Sequence, residues 1–140
     1  MQYGIKEYGA YDEAEIMKLY NSVGWSNYTK NPQMLRETFA HSLKIYGAYS
    51  EEELLGIIRA VGDGHSIVFI QDILVEPSFQ RRGIGKALLQ KMMEEYRNVY
   101  QMHLLTDNSP KMIAFYQSVG FADVVSQNCI SFTRVKYEHL

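Results

Sequence analysis

One cysteine, Cys129, stands in 140 residues, so no internal disulfide can form. That usage suits a reducing compartment, and a cytoplasmic location is the expectation. Long hydrophobic runs are missing as well. The N-terminus, Met1-Gln2-Tyr3-Gly4-Ile5-Lys6, has no apolar stretch of the secretory kind, and no run approaches membrane-spanning length. Charge of one sign is scarce: 14 Lys and Arg against 16 Asp and Glu leave a formal net charge of −2. This balance gives no electrostatic case for nucleic acid or a membrane as partner. Prolines number three, and no Pro/Gly/Ser-rich linker, repeat or low-complexity tract divides the chain. One domain over residues 1–140 is expected, long enough to bury a core without metal or disulfide. The histidines His41, His65, His103 and His139 lack ligand spacing with each other or with Cys129, so no metal is expected.

What is there alternates between strand and helix signals. Gln2 to Glu7 reads as a strand. Asp12 then caps a helix with Ile16, Leu19, Tyr20 and Val23 at helical spacing, closed by Gly24. A polar, aromatic connection from Trp25 to Lys30 follows, and Asn31-Pro32 opens a helix through about Ser42. Ile45–Tyr49 and Leu54–Val61 read as strands. Ser66–Val75, apolar on both faces, reads as a central one. A loop, a helix from Gly83 to about Arg97 and a strand at Met102–Leu105 come next. Ser109-Pro110 starts a helix that ends at Val119-Gly120. Ala122–Val125 and Ile130–Lys136 are expected as two final strands. The class is α/β in the mixed, α+β sense: roughly six or seven mostly antiparallel strands flanked by about four helices.

The strongest chemical signal is Asp72-Ile73-Leu74-Val75-Glu76-Pro77-Ser78-Phe79-Gln80-Arg81-Arg82-Gly83-Ile84-Gly85-Lys86. A buried strand ends, a short loop turns, and two glycines stand where a helix begins. Glycine allows close approach of the backbone to a ligand. The free N–H groups of the first helical turn then point at an anion, with the helix dipole adding to the attraction. Arg81, Arg82 and Lys86 put fixed positive charge around the same spot, which suits a diphosphate. A mononucleotide P-loop is excluded because Ala87 follows Lys86, and the dinucleotide fingerprint because only two of its three glycines are present.

Gln80-Arg81-Arg82-Gly83-Ile84-Gly85 resembles the Gln/Arg-x-x-Gly-x-Gly/Ala signature of the GCN5-related N-acetyltransferase (GNAT) superfamily. Ile113-Ala114-Phe115-Tyr116-Gln117-Ser118-Val119-Gly120-Phe121 is similar to that family's second motif, a helix carrying tyrosine and ending in Gly-Phe. The strand–loop–helix core is most similar to the arylalkylamine or serotonin acetyltransferase-like branch.

The resemblance implies a GNAT-like acyl-CoA N-acyltransferase fold and direct transfer of an acetyl group from acetyl-CoA to a primary amine, that of a small molecule. A protein lysine or N-terminal acetyltransferase and a non-catalytic acyl-CoA-binding sensor are the alternatives. It implies that the cofactor enters where the fourth and fifth strands part. There the backbones of Ile73, Leu74 and Val75 would hold the pantetheine arm, with an amide near Leu74 as oxyanion donor. Residues Gln80, Arg81, Arg82, Gly83, Ile84, Gly85 and Lys86 would hold the diphosphate.

Tyr116 matches the tyrosine that faces the departing thiolate. A phenol of pKa ~10 giving its proton to a thiolate of pKa ~8.5 goes uphill by about 2 kcal/mol, so hydrogen bonding describes the role better than full transfer. The family's asparagine, seven residues before this tyrosine, is replaced by Ser109, with Asn108 one place earlier as the cofactor contact. Animal arylalkylamine enzymes carry histidines where this chain has Phe69 and Gln71, so that base is not carried over. Asp72 is the candidate base, ahead of Glu76 and His65, and a structural carboxylate paired with backbone or arginine is its alternative. Trp25 and Tyr28, with Phe39 beside them, are the candidate acceptor wall. Glu51-Glu52-Glu53 reads as a solvated hairpin tip. Family habit implies a homodimer.

Overall fold

The computed structural model describes residues 2–135, which fall into two compact units, Met1–Leu104 and Leu105–Leu140. Lys136, the expected end of the last strand, and His139 lie outside the described residues.

In the first unit, β1 (Gly4–Glu7) leads to α1 (Glu13–Ser22). The Asp12 carboxylate accepts the Glu15 N–H at 3.2 Å, and Glu13 and Glu15 put negative charge in the first turn. Gly24, at φ 79°, turns the chain out of the helix. The connection then makes a single helical turn, α2 (Ser26–Thr29), which a four-residue stretch is too short to announce by periodicity. α3 (Pro32–Ala40) follows, its Met34 N–H capped by the Asn31 side chain at 3.1 Å. All three prolines open a helical turn: Pro32 here, Pro77 in the 3-10 turn Pro77–Phe79, and Pro110 farther on. At those places the missing N–H has no partner to lose.

Four more strands complete the sheet: β2 (Lys44–Ser50), β3 (Glu53–Gly62), β4 (Ile67–Val75) and β5 (Gln101–Leu104), in the order β1-β2-β3-β4-β5. Pairing is antiparallel as far as β4, and β5 joins parallel to β4. A parallel neighbour needs a crossover, and α4 (Ile84–Glu95) supplies it. α1 and α3 cover the sheet with Ile16, Leu19, Tyr20, Leu35 and Phe39 against Ile45, Leu54, Ile57 and Leu74. α4 buries Ile84, Leu88, Leu89 and Met92. Each large apolar side chain so covered stabilises the fold by about 1.5–3 kcal/mol.

One irregularity governs the rest. Arg59 pairs with Asp72, but the next residue, Ala60, pairs with Ile70, so β4 carries one extra residue, Gln71. This is a β-bulge, which bends and over-twists its strand. The parallel pairing with β5 ends at Ile70 opposite Leu104, immediately before it.

The second unit holds α5 (Pro110–Ser118), capped by the Ser109 hydroxyl on Met112 N–H at 3.3 Å. Gly120 ends it at φ 100°, and Phe121 N–H returns to Tyr116 O at 3.0 Å. The two expected final strands are not formed. Asp123 accepts the Val125 N–H at 2.9 Å and winds Val124–Gln127 into a 3-10 turn, and no strand is assigned from Ile130 to Val135. Phe132 is left 89% exposed. Alternation alone does not make a strand, because β-propensity is realised only through pairing and packing. The described residues thus hold five strands rather than six or seven, and five α-helices rather than four, α2 being the extra one. No helix among them is long and apolar enough to cross a membrane.

Candidate functional site

Beyond Ile70, β4 runs on to Val75 with no strand paired on its outer side among the described residues. The main-chain groups on that side can be assigned. Glu76 N–H donates to Leu55 O at 2.9 Å, and the antiparallel register pairs Val75 with Gly56 and Leu74 with Ile57. Hydrogen-bonded and non-bonded pairs alternate along such a ladder. Leu74 therefore turns its N–H and C=O toward β3, while Ile73 and Val75 turn theirs to the open side. The Gln80 side chain agrees with this, since its Nε2 donates to Val75 O at 2.9 Å. The outward-facing amides next to Leu74 are thus those of Ile73 and Val75. Gly56 lies close against this end of β4, where a Cβ would stand 2.8 Å from Leu74 O.

After Val75 the chain makes the Pro77–Phe79 turn and enters α4 through two left-handed residues, Arg81 at φ 66° and Gly83 at φ 81°. No side chain caps this helix, and its first turn holds no acidic residue. Lys86 is there instead, exposed, with Arg81 and Arg82 exposed just before it. Cations at a helix N-terminus oppose the macrodipole, so this arrangement favours the fold only with an anion in place. The Arg82 guanidinium lies 5.8 Å from the centre of the Phe79 ring. Ile84 is buried and anchors the turn from beneath.

Asp72 sits at the bulge, on the face toward α1, and it is buried. Its Oδ2 accepts Arg59 Nε and the Tyr20 hydroxyl, both at 2.8 Å, and its Oδ1 accepts the Tyr28 hydroxyl at 3.3 Å. Arg59 Nη1 reaches Ser42 Oγ at 3.2 Å. Of the two roles the sequence left open, pairing with an arginine is the one these contacts describe. Burial first, then the Asp72 charge, raises the pKa of both Tyr20 and Tyr28, so both remain phenols at neutral pH. Trp25 is half-buried beside them, its ring 5.8 Å from Tyr20 and 6.1 Å from Tyr28. Phe39 packs edge-on to Tyr20 in the core at 6.1 Å.

The other candidate bases are placed differently. Glu76 accepts Ser78 N–H at 3.0 Å and the Ser78 hydroxyl, which fixes the loop. His65 precedes the start of β4, roughly 25 Å from Ile73 at the rise of an extended strand. In the C-terminal unit, Tyr116 lies on the inner side of α5, buried, between Phe115 at 5.0 Å and Phe121 at 5.9 Å. Burial raises its pKa, and its hydroxyl makes no hydrogen bond among the described residues. Ser109 is occupied as the cap of α5, which leaves Asn108, exposed on the loop before it, as the amide of this region.

Sequence reasoning missed Tyr20, Arg59 and Ser42. A signal existed for Arg59: it is the lone charge inside the apolar run Leu54–Val61, and a charge there needs a buried partner.

Residues 11–121 match the acetyltransferase (GNAT) family model. The chain belongs to the GNAT family. A GNAT-family acetyltransferase of Streptococcus pneumoniae TIGR4, known as a solved structure, is 36% identical. The match covers 98% of this chain and 100% of that one, with a TM-score of 0.87. The GCN5-related N-acetyltransferase 1 of Arabidopsis thaliana is 35% identical over 62 residues, 44% of this chain and 32% of the relative. Serotonin N-acetyltransferase 2 of Oryza sativa subsp. japonica is 32% identical over 63 residues, 45% of this chain and 32% of the relative. The chain thus spans about a third of the length of these two chloroplastic relatives.

Proposed function

We propose that this GNAT chain transfers the acetyl group of acetyl-CoA to the primary amine of a small molecule, by direct attack in a ternary complex, with both units serving one catalytic domain. The observation that carries the reading is the junction of β4 and α4, where an unpaired strand edge runs directly into an uncapped, cation-ringed helix start. The two parts fit the two ends of coenzyme A. Arg81, Arg82 and Lys86, with the amides of Gly83, Ile84 and Gly85, hold the diphosphate, and Gln80 braces the loop against Val75. The open groups of Ile73 and Val75 take the place of a strand partner for the pantetheine amides.

Since the diphosphate lies beyond Val75, the acyl end reaches back toward Ile73. Its N–H receives the thioester oxygen as that carbon becomes tetrahedral, a contribution worth ~3 kcal/mol for one such donor. Tyr116 hydrogen-bonds the leaving thiolate and Asn108 contacts the cofactor. The raised pKa of Tyr116 fits a donor that keeps its proton. An alkylamine of pKa ~10.4 is about 4 kcal/mol from its neutral form near pH 7.4, so a proton must leave before attack. Asp72 receives that proton by relay, the ammonium giving its proton to Tyr28 Oη as the phenol passes its own to Asp72 Oδ1, and Trp25 and Tyr28 form the acceptor wall. The reading is supported by family membership and by the serotonin acetyltransferase relative in rice.

Mixing the protein with acetyl-CoA and a panel of primary amines, while following free thiol, tests this. Amine-dependent thiol release is expected. Tight binding of acetyl-CoA with no release on any amine would replace the enzyme with a sensor of acyl-CoA.

We also infer that the chain forms a homodimer through its C-terminal segment. Ile130, Phe132 and Val135 are exposed there in a β-prone stretch with no paired strand, and a second copy would cover them. Light scattering should give twice the 16.2 kDa of one chain.

A further inference from the structure

A cleft of about 320 Å³ opens between the segment after β1, the end of α3 and the start of β2. It stands apart from the groups assigned to the reaction. Lys44, on its border, pairs with Ala60, whereas Val75 pairs with Gly56, roughly 13 Å farther along β3. Phe39 and Ala40, also on its border, close α3 at the end opposite the Trp25–Lys30 connection, about 12 Å along the helix.

The wall is largely aromatic. Phe39 lies 5.2 Å from Tyr11 and 5.8 Å from Tyr8 between ring centres, and Leu43 and Ile45 add aliphatic surface. Its polar side chains are few enough to assign one by one. Glu7 and Lys44 answer each other at 3.4 Å, and the Lys44 ammonium lies 5.9 Å from the Tyr46 ring. Ser42 is engaged with Thr38 O and Arg59 Nη1. Two groups are left. The Tyr11 hydroxyl is shut off from water and has no hydrogen-bond partner among the described residues. Arg36 meets Glu13 at 2.7 Å, but both side chains are about half exposed, and a pair so wetted holds weakly.

These two groups define what fits. A buried hydroxyl without a partner costs the fold, and an acceptor removes that cost. A guanidinium has five N–H donors in a fork that matches a carboxylate, so it can take one beside Glu13 or in its place. One carboxylate answers both. The rings and aliphatic surface around them suit a flat apolar body. The volume is at the small end for ligand pockets, which limits that body to a single ring. The same wall touches the Asp72 cluster. Phe39 packs edge-on to Tyr20 at 6.1 Å, Ser42 accepts from Arg59, and Tyr20 and Arg59 both donate to Asp72.

We propose that this cleft is an effector site for a single-ring aromatic carboxylate, held by Arg36 and Tyr11, and that its occupancy passes through Phe39 to Tyr20 and the Asp72 cluster. The chain's only tryptophan, Trp25, has its ring 5.8 Å from Tyr20, so its emission reads that passage without any turnover.

Phenylacetate is the probe, and benzyl alcohol, which keeps the ring and lacks the charge, is its control. Calorimetry should show phenylacetate binding at least about tenfold tighter than benzyl alcohol, the scale of a hydrogen bond to a charged group. Saturating coenzyme A should leave that affinity within about twofold, because the two sites are separate. Arg36→Gln, at an exposed position, should weaken phenylacetate by about tenfold or more. Tyr11→Phe should weaken it by about three- to tenfold, yet melt no lower than wild type when free, since it removes an unpaired hydroxyl. Phenylacetate should also change Trp25 emission in the wild type. No heat at millimolar phenylacetate, equal affinity for benzyl alcohol, displacement by coenzyme A, or unchanged affinity in both variants overturns the site. Binding that leaves Trp25 emission unchanged overturns its role as an effector site. None of these readouts needs acetyl transfer, so the acetyltransferase reading stands or falls separately.

Discussion

Arg59 Nε donates to Asp72 Oδ2 across 2.8 Å, with the two side chains 5% and 2% exposed. A pair so far from water gains little over an apolar pair of the same shape, yet removing one partner leaves a charge with no compensation. Arg59→Met should therefore destabilise the fold by about 3–5 kcal/mol, read from urea denaturation. A loss under about 1 kcal/mol would mean that water reaches Asp72.

Two glycines near the open end of β4 should fail for different reasons. At Gly83 a Cβ has open space but φ is 81°, so Gly83→Ala should lose about 1–2 kcal/mol to backbone strain and weaken coenzyme A binding. At Gly56 the backbone is ordinary, but a Cβ would press on Leu74 O at 2.8 Å. Gly56→Ala should shift β4 itself, so acetyl-CoA affinity should fall with it. Calorimetry and thermal melts on both variants separate strain from collision.

Much of this region was readable in the chain. The turn after Val75 and the helix start at Ile84 announced themselves because glycine and helix-start spacing are sequence properties. The bulge did not, because β4 is apolar on both faces and an extra residue breaks no visible alternation. Gln71 entered only as a mismatch with histidine. Ala122–Val125 misled because its apolar composition says strand while Asp123, one polar residue, closes a tighter turn through Val125 N–H. Such local side-chain bonds compete with sheet pairing.

Under the proposed mechanism the Tyr116 phenol would hydrogen-bond the departing sulfur, so Tyr116→Phe should lower kcat by about 10- to 100-fold while acetyl-CoA affinity changes little. Single-turnover thiol release and calorimetry check the two halves. Equal kcat in variant and wild type would remove the phenol from the chemistry.

The β3–β4 turn gives a pH dependence. Asp63 takes N–H groups from His65, Ser66 and Ile67, and its carboxyl is held well below the usual range, the Ser66 hydroxyl contributing most. A depressed carboxylate pKa adds stability above the unfolded value near ~4 and loses it as pH falls toward the folded one. Asp63→Asn should melt lower than wild type at pH 7, with the gap closing below about pH 3. A gap of constant size across that range would exclude the charge as its source.

The bare edge of β4 has a cost outside catalysis. A run of unmatched peptide groups is a template on which another molecule of the same protein can add, the first step toward fibrils. The kink at Gln71 makes that edge a poor guide for a straight incoming strand, and a pantetheine arm lying along it would occupy the groups that remain. If coenzyme A binds there as proposed, supplying it during expression or storage should suppress precipitation, a small molecule standing in for a strand of another copy.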